Sequence, residues 1–175
     1  MIELVPYDST WPERFLEEAG RLREVCGALA LRIDHVGSTS IAGIAAKAVI
    51  DVQITVEAVK PLHPWTERLA RLGYVHHASL DDWEYPFFHR PATWPHTHHV
   101  HLCVAGSAIG RATLALRDYL RDHPELRHAY EREKQRLALV HVGDTAERRE
   151  SYATEKSPFL NPLIERALLL GYPRE

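Results

Sequence analysis

The sequence has few cysteines, no excess of basic residues and no long apolar run. Its two cysteines, Cys26 and Cys103, do not form a CxxC pair, so we expect a reduced, cytoplasmic protein rather than a disulfide framework. The formal charge of -3 argues against non-specific nucleic-acid binding, which relies on a basic surface. No segment approaches the about 18 apolar residues of a membrane span, so no membrane association is expected.

What the sequence contains is the composition of an ordinary globular protein. Hydrophobic residues make up 45% of the 175 residues and charged residues 26%, which predicts a single domain over residues 1–175. Strand and helix patterns interleave up to Gly110, and helical patterns follow it. This order predicts an α+β fold, with a mixed β-sheet backed by helices on one side and a helical C-terminal part.

The first helix is predicted within "DSTWPERFLEEAGRLREVCGALA". Thr10 and Glu13 have the spacing of a capping box, and apolar residues from Phe15 to Leu29 recur at helical spacing. A short strand, "RIDHVGS", should follow. Further along, "HPWTERLARLGY" predicts a second helix that ends at Gly73, and "HHVHLCVAG" predicts another strand.

The stretch "AVIDVQITV" alternates as a half-buried strand does. Asp51 and Gln53 fall on its polar face, and the opposite face is made of isoleucine and valine. Two carboxylates at positions i and i+2 could hold a divalent metal that bridges triphosphate oxygens during phosphoryl or nucleotidyl transfer. Here the second of the two is an amide.

A possible phosphate-binding turn precedes that strand in "HVGSTSIAG". Gly37 would let the backbone approach a ligand, and Ser38 and Thr39 offer amide and hydroxyl donors. A Gly-Ser pair alone is more often a plain turn. Its interest comes from Asp51, which follows Ser38 by 13 positions (51 minus 38) and could return beside it on the next strand.

These features together resemble a known family. The layout of turn, spacer and acid is similar to the glycine-serine and aspartate motif of the DNA polymerase beta-like nucleotidyltransferase superfamily. The more detailed resemblance is to its GrpB members, and it covers most of the chain. It is carried by "VPYDSTWPERF", "HVGSTSIAGIAAKAVIDV", "THHVHLC", "LRDYLRDHPELRHAYEREK" and "YATEKSPFL".

The resemblance implies a nucleotidyltransferase-like fold that holds a nucleotide at Gly37 and Ser38. It implies that Asp51 is the first metal-binding acid. Members of this family are also found fused to dephospho-CoA kinase. The sequence departs from the catalytic pattern at Gln53, where active transferases have their second acid. An amide oxygen binds magnesium much less strongly than a carboxylate.

Histidines could compensate for the missing acid. Eight of the twelve lie between His63 and His101, and the resemblance singles out His98 and His101. With Asp51 they could form a metal set that suits manganese, iron or zinc. Strand alternation puts His99 and His101 on one face and His98 on the other, unless the strand begins after His98. The remaining histidines of this region without support from the family pattern are interpreted as surface or loop residues: His76, His77, His89 and His96.

Basic and aromatic residues complete the candidate site. Those expected to contact phosphate or line the pocket are Lys47, Arg90, Arg117, Tyr130, Lys134, Tyr152 and Lys156. Arg121, Arg127 and Arg132 are interpreted as a solvated helix face. The aromatic run Trp83, Tyr85, Phe87 and Phe88 is interpreted as core or lid.

Three functions therefore stay open. The first is an enzyme that binds a nucleoside triphosphate and a divalent metal (Mg, Mn or Zn) and transfers a nucleotidyl group. The second is a binding module that keeps the nucleotide or metal pocket without catalysis. The third is a metal-dependent hydrolase built on Asp51, His98 and His101.

Overall fold

The structure is a computed structural model that describes residues 3–79, 83–141 and 145–174. Its strands are β1 (Ala30–Val36), β2 (Ile50–Val56), β3 (Val75–His77), β4 (Phe87–Arg90) and β5 (His98–Val104). They form one sheet in the order β1-β2-β5-β4-β3. Only β2 and β5 are parallel neighbours among these strands, so the sheet is mixed, as predicted.

Some of the described helices precede or separate the strands along the chain, and the others follow the last strand. The described helices are α1 (Trp11–Cys26), α2 (His63–Ala70), α3 (Ala108–Asp122), α4 (Pro124–Val140), α5 (Ala146–Thr154) and α6 (Ser157–Leu169). The predicted α+β fold with a helical C-terminal part is confirmed. Within the described ranges, no helix is both long and apolar enough to cross a membrane.

The start of α1 differs from the predicted capping box. Thr10 has helical dihedral angles and makes no side-chain cap. Instead, Asp8 accepts hydrogen bonds from the amide and hydroxyl of Thr10, both at 2.8 Å. The helix also ends earlier than the apolar spacing predicted, at Cys26, so Leu29 lies in a 3₁₀ turn and is exposed.

One face of the sheet is the apolar core. Ile50, Val52 and Ile54 of β2 have no exposed surface and pack with residues of α1 and α2 such as Trp11 and Trp65. Burial of each such aliphatic side chain contributes about 1.5–3 kcal/mol. The predicted division of β2 into an apolar and a polar face is confirmed.

The other face of the sheet carries the polar side chains. Residues that oppose one another on neighbouring strands share a face, so Asp34, Gln53 and His101 form one row across β1, β2 and β5. Helix α3 covers part of this face, because Gln53 donates to the carbonyl of Gly110 at 3.3 Å. The expectation of helices on one side only is therefore wrong.

Helix α4 fixes the loop between β1 and β2. The amide of Ala45 donates to Glu131 at 2.6 Å, and the same residue's carbonyl accepts from Lys134. Ile41 and Ile44 of this loop are buried with Tyr130. The helical half of the chain thus positions the turn that follows β1.

Candidate functional site

The turn after β1 places Gly37 directly against Asp51. Gly37 has a φ of 68° and is exposed. A Cβ at this position would lie 2.8 Å from the Cβ and Cγ of Asp51 and closer still to Oδ2. Only glycine fits here, for both steric and conformational reasons. The predicted approach of the Gly-Ser turn to the acid on β2 is observed.

Hydrogen bonds within the protein hold this turn, which we define as Gly37–Ser40. Ser40 Oγ donates to the carbonyl of Gly37 at 2.6 Å. The carbonyl of Ser40 accepts from the Arg121 guanidinium at 2.8 and 3.0 Å. Arg121 therefore stabilises the turn through these hydrogen bonds and is not part of a purely solvated helix face.

Thr39 anchors the turn rather than facing a ligand. Its hydroxyl donates to the carbonyl of Val49 at 3.0 Å and accepts from His35 Nε2 at 3.0 Å, which assigns the proton of His35 to Nε2. Thr39 is 1% exposed. Burial lowers the pKa of His35 to about 4, so this histidine acts as a neutral donor. Of the predicted turn residues, Gly37 and Ser38 remain accessible to a ligand.

Asp51 is a partly exposed carboxylate held by His99. Its Oδ1 lies 3.0 Å from His99 Nδ1, and its side chain is 26% exposed. Burial opposes ionisation, but the hydrogen bond from His99 and the nearby charges of His99, His101 and Lys156 hold the pKa of Asp51 below its ordinary value. The carboxylate is therefore ionised near neutral pH.

A chain of imidazoles continues from Asp51. His99 Nε2 lies 3.2 Å from His96 Nδ1, and the His96 ring stacks on His89 at 4.0 Å between centroids. The Asp51 carboxylate only accepts, so His99 donates to it from Nδ1, and His96 is the partner of the other ring nitrogen of His99. His89 is buried on β4, so its interpretation as a surface or loop residue is wrong, whereas His96 lies in the loop before β5 as interpreted and joins the same array.

His101 is held in an aromatic stack. Its ring lies between Tyr85 and Phe87, with centroid distances of 4.5 and 4.8 Å. Burial lowers its pKa to about 4, and within the described residues its buried Nδ1 has no hydrogen-bond partner. The aromatic run from Trp83 to Phe88 is interpreted from the sequence as core or lid. This interpretation fits Phe88, which is fully buried, whereas Trp83 is largely exposed.

The structure does not bring His98 together with Asp51. Strand β5 begins at His98, so alternation turns this side chain to the opposite face of the sheet, beside Arg90. Arg90 in turn donates to Glu18 at 2.8 Å. The expected convergence of Asp51, His98 and His101 is therefore wrong, and Arg90 lies on the face away from Asp51.

Gln53 and Arg117 lie between the sheet and α3. Gln53 is 1% exposed, and within the described residues its amide oxygen has no hydrogen-bond partner. Arg117 contacts Asp34 at 3.4 Å and Asp118 at 2.7 Å, and it donates to the His35 carbonyl at 3.2 Å. The structure therefore gives Arg117 intramolecular partners where phosphate contact was expected.

Tyr130 and Lys134 of α4 reach the turn. Tyr130 Oη lies 3.2 Å from Ser38 Oγ, and Lys134 Nζ lies 4.8 Å from the centre of the Tyr130 ring. Burial, and secondarily the charge of Lys156, lowers the pKa of Lys134 to about 7. Near pH 7 part of the population therefore has a neutral Lys134 amine, which would take up a proton when an anion binds nearby.

Two further lysines surround Tyr152. Lys47 Nζ and Lys156 Nζ lie 4.4 and 4.9 Å from the centre of its ring, and both residues are half-buried. Lys156 is also one of the cations that lower the pKa of Asp51. Lys47, Lys134 and Lys156 form what we call the lysine cluster, which lies beside the Gly37–Ser40 turn.

The side chains around Asp51 suit a metal ion whose coordination sphere is completed by oxygens of a bound ligand. Among the described residues, no group of three or more His, Cys, Asp or Glu side chains is arranged to hold a metal ion. Magnesium is commonly bound by one or two carboxylates together with substrate phosphates. An ionised, partly exposed Asp51 next to an exposed glycine of the turn fits that pattern.

Comparison with known sequences identifies relatives over nearly the whole chain. The family model described as GrpB protein matches residues 1–166. UPF0157 protein BH1888 of Halalkalibacterium halodurans is 34% identical over 95% of this chain and 82% of that protein. A dephospho-CoA kinase of Mycolicibacterium paratuberculosis is 31% identical over 95% of this chain but 46% of its own length.

Solved structures agree with this relationship. The crystal structure of conserved protein GrpB from Enterococcus faecalis matches 95% of this chain and 97% of that chain, with a TM-score of 0.82 and 28% identity. The Cid1 poly(U) polymerase with bound MgGTP matches 77% of this chain and 44% of that chain, with a TM-score of 0.52 and 13% identity. The second likeness shows a shared nucleotidyltransferase-like fold only. On the extent of the family match, the chain belongs to the GrpB family.

Proposed function

We propose that this GrpB-family protein binds a nucleotide through its phosphates, together with a divalent cation coordinated by Asp51. The observation that carries the proposal is the contact of Gly37 with Asp51. It places an exposed glycine of positive φ, at the start of the turn, immediately beside an ionised carboxylate. A phosphate on the turn and a cation on the carboxylate would then be neighbours.

The lysine cluster supports an anionic ligand. Three lysines lie around Tyr130 and Tyr152, and one of them, Lys134, has a pKa of about 7 because burial disfavours its charge. Bound phosphate would offset that penalty by stabilising the charged ammonium. Both tyrosine rings are buried, so they position the lysines and do not offer a surface to a nucleobase.

The donor set favours magnesium or manganese over zinc. Asp51 and phosphate oxygens are hard ligands, whereas zinc sites in proteins are usually completed by His and Cys. Gln53 does not add a second ligand in this conformation, because it is buried and directed at Gly110. The site therefore supports nucleotide binding better than it supports two-metal transfer chemistry.

Nucleotidyl transfer is the second candidate function, and the hydrogen-bonded chain of Asp51, His99 and His96 favours it. Asp51 orients His99, and His96 contacts the other nitrogen of the same ring. Such an array could receive the proton of an acceptor hydroxyl. The related dephospho-CoA kinase and the fold shared with Cid1 are consistent with nucleotide chemistry. The hydrolase built on His98 is not proposed, because His98 faces away from Asp51.

A thermal-shift screen tests the proposed binding. The protein would be heated with each common nucleoside triphosphate and with magnesium, manganese or zinc. Ligand at about 100 times its Kd stabilises by about 2.7 kcal/mol, which raises the Tm of a protein of this size by roughly 5–10 °C. Asp51→Asn should lose the metal-dependent part, and Lys156→Met should reduce the shift.

The matched control is Lys60→Met, which removes one exposed lysine outside the cluster. It should leave the shift unchanged. If no nucleotide stabilises the wild-type protein with any of the three metals, the proposal is refuted. Release of pyrophosphate on incubation with a triphosphate would separately support the transfer function, and its loss in His99→Asn would assign the imidazole chain to that step.

A further inference from the structure

A half-buried tryptophan adjoins the lysine cluster. Lys47 Nζ lies 5.9 Å from the centre of the Trp94 ring and 4.4 Å from the centre of the Tyr152 ring, so one ammonium group adjoins both rings. Of the described rings that lysines of the cluster contact, Tyr130 and Tyr152 are buried. Trp94 is only half-buried and therefore keeps part of its surface accessible.

The loop that carries Trp94, residues 91–97, is fixed at its base. The amide of Thr97 donates to the carbonyl of Arg90 at 2.8 Å, which closes the loop. The carbonyl of Thr97 accepts from the amide of Ile50 at 3.0 Å, which attaches the same end of the loop to the start of β2. A ligand that contacts such a loop has little chain entropy to remove.

The imidazole chain joins Trp94 to Asp51. The rings of His96 and Trp94 pack edge to face, with 5.1 Å between their centres. His96 Nδ1 lies 3.2 Å from His99 Nε2, and His99 donates to Asp51. The indole ring therefore has a defined position relative to the carboxylate proposed to hold the cation.

These neighbours suit the base of a nucleotide. In a nucleotide the phosphates carry the negative charge, and one ribose separates them from a flat, uncharged base. With a phosphate on Lys47, the base would lie within reach of the indole of Trp94. Aromatic side chains stack on any of the bases, because every base has a π face.

We infer that Trp94 is the platform on which the base of the bound nucleotide stacks. The inference rests on the proposed function and deepens it, because it assigns the base end of the ligand. The cation stays at Asp51, and Lys47 contacts the phosphate nearest the ribose. The ligand is then a nucleotide rather than any polyphosphate, because a stacking surface favours only a ligand that carries a base.

Isothermal titration calorimetry of the whole chain with magnesium compares two kinds of probe. Inorganic tripolyphosphate has the phosphates of a nucleoside triphosphate and no base. The other probes are ATP, GTP, CTP and UTP. We expect the tightest-binding of these four to bind wild type about tenfold more tightly than tripolyphosphate, as one base stacked on an aromatic side chain allows.

Variants of the two tryptophans that are not buried assign this preference to one ring. Trp94→Leu should remove the preference and leave tripolyphosphate binding unchanged, whereas Trp94→Phe should retain most of it because phenylalanine also offers a ring. Trp83→Leu is the matched control, since Trp83 is 66% exposed and has no place in the inferred site; it should change neither affinity.

Tryptophan fluorescence gives a second readout. Bound nucleotide should quench the emission of wild type and of Trp83→Leu, but not that of Trp94→Leu. Should Trp94→Leu fail to fold, the comparison of probes in wild type and the quenching in Trp83→Leu still decide.

The results separate this inference from the function on which it rests. Equal affinity of wild type for tripolyphosphate and for all four nucleotides would overturn the stacking and leave the binding of phosphates with a cation in place. An equal loss of both kinds of ligand in Trp94→Leu would also overturn it, because Trp94 would then have a structural role only. Failure of every probe to bind wild type would refute the proposed function, and this inference with it.

Discussion

Replacement of Lys134 by methionine should remove a pH-dependent part of the protein's stability. Burial beside Tyr130 lowers the pKa of Lys134 from 10.5 to about 7 in the folded state. Between these two values the unfolded chain holds a proton that the folded chain has lost. Stability due to this group therefore rises with pH above about 7 and is lost as the pH falls toward 7.

The magnitude follows from linkage. Integration for one group with a folded pKa of about 7 gives a gain of about 1.6 kcal/mol in the free energy of unfolding from about pH 7 to about pH 8.5. Burial raises the pKa of the Cys26 and Cys103 thiols in the folded state, but both proteins contain them, so their titration cancels in the difference between wild type and Lys134→Met. Lys134→Met also loses the bond to the Ala45 carbonyl, but that loss does not depend on pH.

Urea unfolding at the two pH values measures the effect. The difference in unfolding free energy between wild type and Lys134→Met should grow by about 1.6 kcal/mol in favour of wild type, whereas Lys60→Met should track wild type. A difference that stays constant across the window would refute a lowered pKa for Lys134. It would also remove the reason to expect proton uptake on phosphate binding.

Two further predictions concern the turn and the buried histidines. Gly37→Ala should lower the free energy of unfolding by about 2 kcal/mol or more, because alanine is strained at a positive φ and its Cβ would overlap Asp51. Gly43→Ala, at a φ of 83° with open space around it, should show only the conformational cost. Equal losses for the two variants in urea unfolding would contradict the overlap. The pKa is also lowered to about 4 for three histidines, His35, His98 and His101. The free energy of unfolding should therefore fall as the pH drops from about 6.5 toward 4, by up to about 3.4 kcal/mol for each group. Titration of the His101 ring near pH 6.5, followed by nuclear magnetic resonance, would contradict its burial.

The sequence predicted the parts of the fold that depend on local pattern. Alternation in "AVIDVQITV" correctly put Asp51 and Gln53 on one face of β2 and the isoleucines on the other. The approach of Gly37 to Asp51 could be expected because the next strand returns beside β1, and the structure pairs Val36 with Asp51 in the antiparallel register. The family resemblance added the nucleotidyltransferase-like fold, which the comparison with Cid1 supports.

Strand alternation also correctly put His99 and His101 on one face and His98 on the other, whereas the family resemblance singled out His98. The sequence could not predict features that depend on distant contacts. Arg121 and Lys134 act on carbonyls 81 and 89 positions away, so no local spacing marks them. For His96, which lies before the strand, the density of histidine was the signal available in the sequence.

Isothermal titration calorimetry of a nucleoside triphosphate in the presence of magnesium tests the central claim most directly. The account predicts saturable binding by wild type that requires the metal, with uptake of a proton near pH 7 by Lys134 and loss of the metal-dependent affinity in Asp51→Asn. Equal affinity of wild type and Asp51→Asn, or no heat of binding for any common nucleoside triphosphate, would contradict the assignment of a nucleotide site to the Gly37–Ser40 turn and Asp51.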